Sequence, residues 1–130
     1  MAQCPCGSGT PFPECCRPFL TGKAHAPTAE ALMRSRYTAY VRRDESYLLR
    51  TWHPATRPAT LDVDGGTWQG LEIVATTKGQ AADASGTVTF AAHFVGDAGD
   101  HGTMREHSRF EKLGDEWLYV DGDLDGYRSD

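Results

Sequence analysis

Four cysteines lie close together as Cys4-Pro5-Cys6, a gap of eight residues, and Cys15-Cys16. Zinc prefers four tetrahedral ligands and is well served by thiolates. Adjacent cysteines and a C-x-C pair are poor local disulfide partners, so a metal site is the first reading of Cys4, Cys6, Cys15 and Cys16. A redox pair or a set of incidental thiols is the alternative. Gly7, Ser8 and Gly9 follow the first pair. Glycine lets the backbone turn sharply and brings amides toward the sulfurs, where they stabilise thiolate charge. Four thiolates close the zinc shell and leave no position for water, so the expected role is structural rather than catalytic. Loading such a site would move the formal charge from -5 to about -7, because metal binding deprotonates its ligands.

The remaining candidates for acid–base or ligand-binding chemistry are Glu106, Arg36, Ser108, His53, Trp52, Tyr119 and Asp121. Strand parity brings some of them together. Over 88–94, Val88, Phe90, Ala92 and Phe94 share one face, and His93 lies on the other. Over 104–110, Met104, Glu106, Ser108 and Phe110 share a face, and His107 lies opposite. The apolar faces should point inward, which places Glu106 inside, where an unpaired charge is costly. Arg36 shares a helix face with Leu32, Met33 and Tyr40 and is the natural partner for a bidentate pair. That pair reads either as a structural salt bridge or as the polar floor of a ligand pocket. His53 follows Trp52 at a helix end, a place suited to a pocket mouth. Trp117, Tyr119 and Asp121 share a face of the last strand. If that face is inner, Tyr119 and Asp121 join Glu106.

The elements that must position these groups follow from pattern. Residues 27–52 read as two helices, with Thr28 and Asp44 as N-caps and His53-Pro54 as the stop. Residues 59–122 read as strands, near 68–77, 86–95, 103–112 and 116–121, with a weaker one at 59–63. Short turns between them predict an antiparallel sheet, and helices first with strands after predict an α+β domain. Residues 1–26 carry four of the seven prolines and little apolar periodicity, so they need a staple. The expected division is a zinc-binding segment at 1–26 and an α+β domain at 27–130.

Other chemistry is disfavoured. The net charge of -5 argues against bulk nucleic-acid binding, and no apolar run spans a bilayer. A signal peptide is not visible, so the expected compartment is the cytoplasm. Asp121, Asp123, Asp125 and Gly126 imitate the start of a calcium loop. The required Glu at the twelfth position falls past Asp130, so an acidic tail is expected. Neither a phosphate-binding Gly-rich loop nor a Gly-x-Ser-x-Gly elbow is present.

The stretch Cys4-Pro5-Cys6-Gly7-Ser8-Gly9 with Cys15-Cys16 resembles the SEC-C zinc motif, although the final ligand there is histidine and here is Cys16. Leu32-Met33-Arg34-Ser35-Arg36-Tyr37, Thr51-Trp52-His53-Pro54, Phe90-Ala91-Ala92-His93-Phe94, Glu106-His107-Ser108-Arg109-Phe110 and Trp117-Leu118-Tyr119-Val120-Asp121-Gly122 resemble the YchJ-like family of small bacterial proteins. The resemblance implies a cystatin-like cone, as in nuclear transport factor two and its relatives, and implies no activity. Two functions are weighed, the first preferred and the second its alternative. In the first, the chain is a zinc-stapled binding or adaptor protein, with Phe12, Arg17, Phe19 and Lys23 exposed for a protein partner. In the second, it is a small-molecule-binding domain or enzyme using Glu106, Arg36, Ser108 and His53 in the cone.

Overall fold

The computed structural model describes residues 3–61, 63 and 66–129, with side chains described as far as residue 124. Its elements are a 3-10 turn (Phe12–Glu14), helices α1 (Arg17–Leu20), α2 (Ala29–Val41) and α3 (Glu45–Arg50), and strands β1 (Thr67–Lys78), β2 (Ser85–Val95), β3 (His101–Leu113) and β4 (Glu116–Ser129).

Helix α2 begins where Thr28 accepts a hydrogen bond from the Ala31 amide at 3.1 Å, and α3 begins where Asp44 accepts from the Tyr47 amide at 3.1 Å. Each cap satisfies an amide that has no partner within its helix. Between the helices Arg43 takes a positive φ of 58°, the left-handed step that ends α2 and redirects the chain. Thr51–His53 then joins β4. The Tyr119 amide donates to Thr51 O at 2.9 Å and the His53 amide to Tyr119 O at 2.8 Å. That short parallel bridge fixes Trp52 against Tyr119.

The four strands form an antiparallel meander in the order β1-β2-β3-β4. Register shifts interrupt β1·β2 at Gln69 and Val74 and β3·β4 at Val120 and Asp125. Bulges add twist and bend, which is what curves a sheet around a helix. Helix α2 lies in the resulting hollow, with Leu32, Met33 and Tyr37 in one core with Val88, Phe90, Ala92, Phe110 and Trp117. The fold is an α+β cone, and the inward parity of β2 and β3 is as expected from their alternation.

Two expectations need correction. No strand forms at 59–63 among the described residues. The stretch after 121 is no free acidic tail, because β4 runs on to Ser129 in register with β3 back to Gly102. A strand whose backbone is paired tolerates outward aspartates, since its partner supplies the hydrogen bonds and Arg109 supplies the charge.

The N-terminal segment is seated on the cone. Cys4, Cys6 and Cys16 belong to the same buried cluster as Leu32 and Phe90. Phe19 and Leu20 pack against that cluster and against a second one of Ala39, Tyr47 and Leu48. Among the described residues no helix is long and apolar enough to cross a membrane.

Candidate functional site

The four sulfurs gather at the N-terminal end of the molecule. A bridge between Gln3 and Pro11 and a 3.0 Å bond from the Cys4 amide to Thr10 O close the loop that carries Cys4 and Cys6. Gly7, at φ 79°, makes the turn and lies flat on β1, where a Cβ would come within 3.3 Å of Leu71 O. The 3-10 turn and the start of α1 present Cys15 and Cys16. All four Sγ atoms lie within 4.8 Å of one another, with Cys6 to Cys15 at 3.6 Å and Cys15 to Cys16 at 3.9 Å. A tetrahedron of zinc–sulfur bonds of about 2.3 Å has an edge of about 3.8 Å, so the donor set fits a metal ion of that kind. Ser8 Oγ stands 3.1 Å from Cys15 Sγ, and Thr38 Oγ donates to Cys16 Sγ at 3.3 Å. The hydrogen bond with Cys16 holds the Cys6 thiol down to about 4, and the same contact, with burial, pushes the Cys16 thiol up. Metal binding would draw off the protons that the set retains.

The second site is a cavity of about 200 Å³ between α2 and the concave face of the sheet. Its walls are mainly rings. Trp68 meets Tyr37 and Tyr40 edge-on, with centroids 6.2 and 6.3 Å apart, and Trp52 meets Tyr119 at 4.9 Å. Arg36, only 3% exposed, sits over Trp52 at 5.1 Å and Tyr119 at 4.6 Å, a stacked cation–π arrangement. Its Nη1 donates to Leu48 O and Thr51 Oγ, both at 2.8 Å. Burial lowers the Arg36 pKa from its ordinary value. Across the floor, Glu106 Oε2 accepts from Ser108 Oγ at 2.7 Å and from the Tyr119 hydroxyl at 3.1 Å. Burial, and then the neighbouring Glu106 carboxylate, push the Tyr119 phenol up, so it stays protonated and donates.

The structure therefore brings together Arg36, Trp52, Glu106, Ser108 and Tyr119. The expected direct pair between Arg36 and Glu106 is not formed. Arg36 makes no ion pair with Glu106 within 4 Å, and Tyr119 stands between them, its ring under the guanidinium and its hydroxyl on the carboxylate. Asp121 is not in the cavity either. The bulge at Val120 shifts the pairing so that Phe110 faces Tyr119 while Arg109 faces Asp121, which inverts the parity of β4 between those two residues. Asp121 is exposed and ion-paired with Arg109 at 2.5 Å. Asp123 joins it there at 2.9 Å. His53 also lies outside. Its Nδ1 accepts from the Ala55 amide and its Nε2 is 3.6 Å from Glu111, because the bridge to Tyr119 turns its side chain the other way from that of Trp52. His93 and His107 hydrogen-bond Thr103 and Thr89 on the opposite face of the sheet, where parity put them.

Sequence reasoning missed Trp68 as a wall. The signal was its place in β1 opposite Phe94, whose inward parity was legible. It also missed Gly122. A Cβ there would collide with the Glu106 carboxylate, so glycine makes the room in which Glu106 lies. Gly122→Ala is expected to cost about 1–3 kcal/mol in urea denaturation, as overpacking does. The cost should vanish in a Glu106→Ala background, where the obstructing carboxylate is gone.

Comparison with known proteins places both sites in a lineage. Residues 28–122 match the family pattern described as "YchJ, middle NTF2-like domain". A UPF0225 protein of Streptomyces avermitilis is 55% identical over 124 residues, covering 95% of this chain and 85% of that one. A UPF0225 protein of Streptomyces coelicolor is 54% identical over 122 residues, covering 93% and 94%. The solution structure of a SEC-C motif containing protein from Rhodopseudomonas palustris superposes with a TM-score of 0.84 at 32% identity, over 95% of this chain and 98% of that one. The crystal structure of a sec-c motif containing protein from Psychrobacter arcticus gives 0.75 at 29%, over 95% and 82%.

Proposed function

Since the chain belongs to this YchJ-like, UPF0225 family, we propose that it is a small-molecule-binding protein, its cone cavity the binding site and its N-terminal segment held by zinc. The observation that carries the reading is the cavity floor. An otherwise aromatic cavity contains a buried guanidinium and a carboxylate, joined through one phenol, in the pattern of an apolar pocket with a few convergent polar groups. Such groups are expensive to enclose, and a purely structural core gains more from apolar side chains.

The zinc reading rests on four sulfurs gathered within 4.8 Å of one another and on the likeness to SEC-C motif proteins. Its four-thiolate shell supports the fold and leaves no open coordination position.

Contact with a protein partner through the N-terminal segment has less support. Phe12 is half-buried with Arg42 over its ring, and Phe19 packs into the core. Only Arg17 and Lys23 of the four expected contact residues are exposed. The reading as an enzyme loses His53, which lies outside the cavity, and keeps Glu106 as its candidate acid or base.

Met33 and Met104 both line the cavity, so their methyl groups report on its occupancy. With ¹³C-methyl methionine, aromatic fragments from a diverse set should shift both signals together and saturably. If no fragment moves the pair, the cavity is not a binding site.

A further inference from the structure

The cavity floor holds hydrogen-bonding capacity that the protein leaves unused. Glu106 takes both of its hydrogen bonds on Oε2, and Oε1 takes none from the described residues. Arg36 gives both of its hydrogen bonds from Nη1, and Nε and Nη2 give none to the described residues. Trp52 Nε1 is buried and donates to none of the described residues. One acceptor and several donors thus open onto the cavity among rings, and of these the buried Trp52 Nε1 bears the cost of an unpaired group, about 1–3 kcal/mol.

Charge narrows the complement. Arg36 and Glu106 sum to zero. A carboxylate ligand would meet Glu106, and an ammonium would meet Arg36, each at short range in a medium of low dielectric constant. A neutral ligand meets neither penalty. Shape narrows it further, because Trp52, Trp68, Tyr37, Tyr40 and Tyr119 offer ring faces and edges to a flat body. The cavity, at about 200 Å³, is smaller than the usual pocket for a drug-sized molecule.

Resting on the reading of the cone as a binding site, we propose that its ligand class is a small, neutral, planar heterocycle with a cyclic-amide edge. The ring N–H donates to Glu106 Oε1, and the adjacent C=O accepts from the free guanidinium N–H groups of Arg36. The indole N–H of Trp52 is a further donor for an acceptor on the same ring system.

Four probes of similar size test this by the methyl signals of Met33 and Met104: 1(2H)-isoquinolinone, its N-methyl derivative, 1-naphthoate and 1-naphthylmethylammonium. The isoquinolinone should bind at least about tenfold more tightly than the other three, the N-methyl compound losing the donor to Glu106. Binding of the naphthoate or the ammonium equal to or tighter than the isoquinolinone overturns the ligand class and leaves the cavity as a binding site. Equal binding of the isoquinolinone and its N-methyl derivative overturns the role of the Glu106 edge. If none of the four binds, the proposed class falls, whereas the binding site itself falls only if the wider fragment set also leaves both methyls unmoved.

Discussion

Replacing Cys6 by serine is expected to lower stability by several kcal/mol, on the order of 3–5, out of the roughly 5–15 that hold a domain of this size. Cys6 is fully buried, and its sulfur lies 3.6 Å from that of Cys15. Serine there removes one ligand from a closed shell and leaves a hydroxyl among apolar neighbours. The damage should not stay local, because Cys4, Cys6 and Cys16 share a core with Leu32, Tyr37 and Phe90. Calorimetry should show the unfolding midpoint fall by roughly 10–20 °C. Treating the native protein with a strong chelator should produce a similar fall, zinc should restore it, and the chelator should add little to the variant. Elemental analysis should return one zinc per chain. A chelated protein that melts where the untreated one does would remove the metal from the account of the fold.

The second large effect belongs to Arg36. Arg36→Met should cost on the order of 3–5 kcal/mol, the range found when one partner of a buried charged set is removed. The change leaves Leu48 O and Thr51 Oγ without their 2.8 Å donor and removes the cation stacked on Trp52 and Tyr119. It also leaves Glu106 without its nearest compensating charge inside the cavity. Glu106→Gln should cost less, about 1 kcal/mol, because an amide oxygen still accepts from Ser108 and Tyr119. Although the two residues do not touch, the double variant should cost less than the two single costs combined, since Tyr119 bridges them. Additive costs, within about 0.5 kcal/mol in urea denaturation, would show that Arg36 and Glu106 act independently.

Much of this arrangement was legible beforehand because it depends on local rules. The caps at Thr28 and Asp44 depend on a short side chain reaching an amide three residues on. The inward faces of β2 and β3 depend on a period of two, which held across Val88 to Phe94 and across Met104 to Phe110. The cysteine set was legible from type and spacing alone. Parity failed at Asp121, because one unpaired residue at Val120 inverts the pairing from there to the second bulge at Asp125, and nothing in Trp117–Asp121 marks where that residue falls.

The sequence by itself determined that a helical pair precedes a curved antiparallel sheet, that four thiols form one cluster, and that Arg36 and Glu106 both turn toward the interior. Each of these follows from neighbours in the chain or from a repeat along one element. Only the tertiary structure decided how the interior charges are handled. Trp52 is carried to Tyr119 by a bridge between residues far apart in the chain, and that ring takes the place between guanidinium and carboxylate that a direct ion pair would have filled. Such an outcome depends on distances across three elements at once, namely α2, the Thr51–His53 bridge and β3·β4. No periodicity within any one of them encodes it.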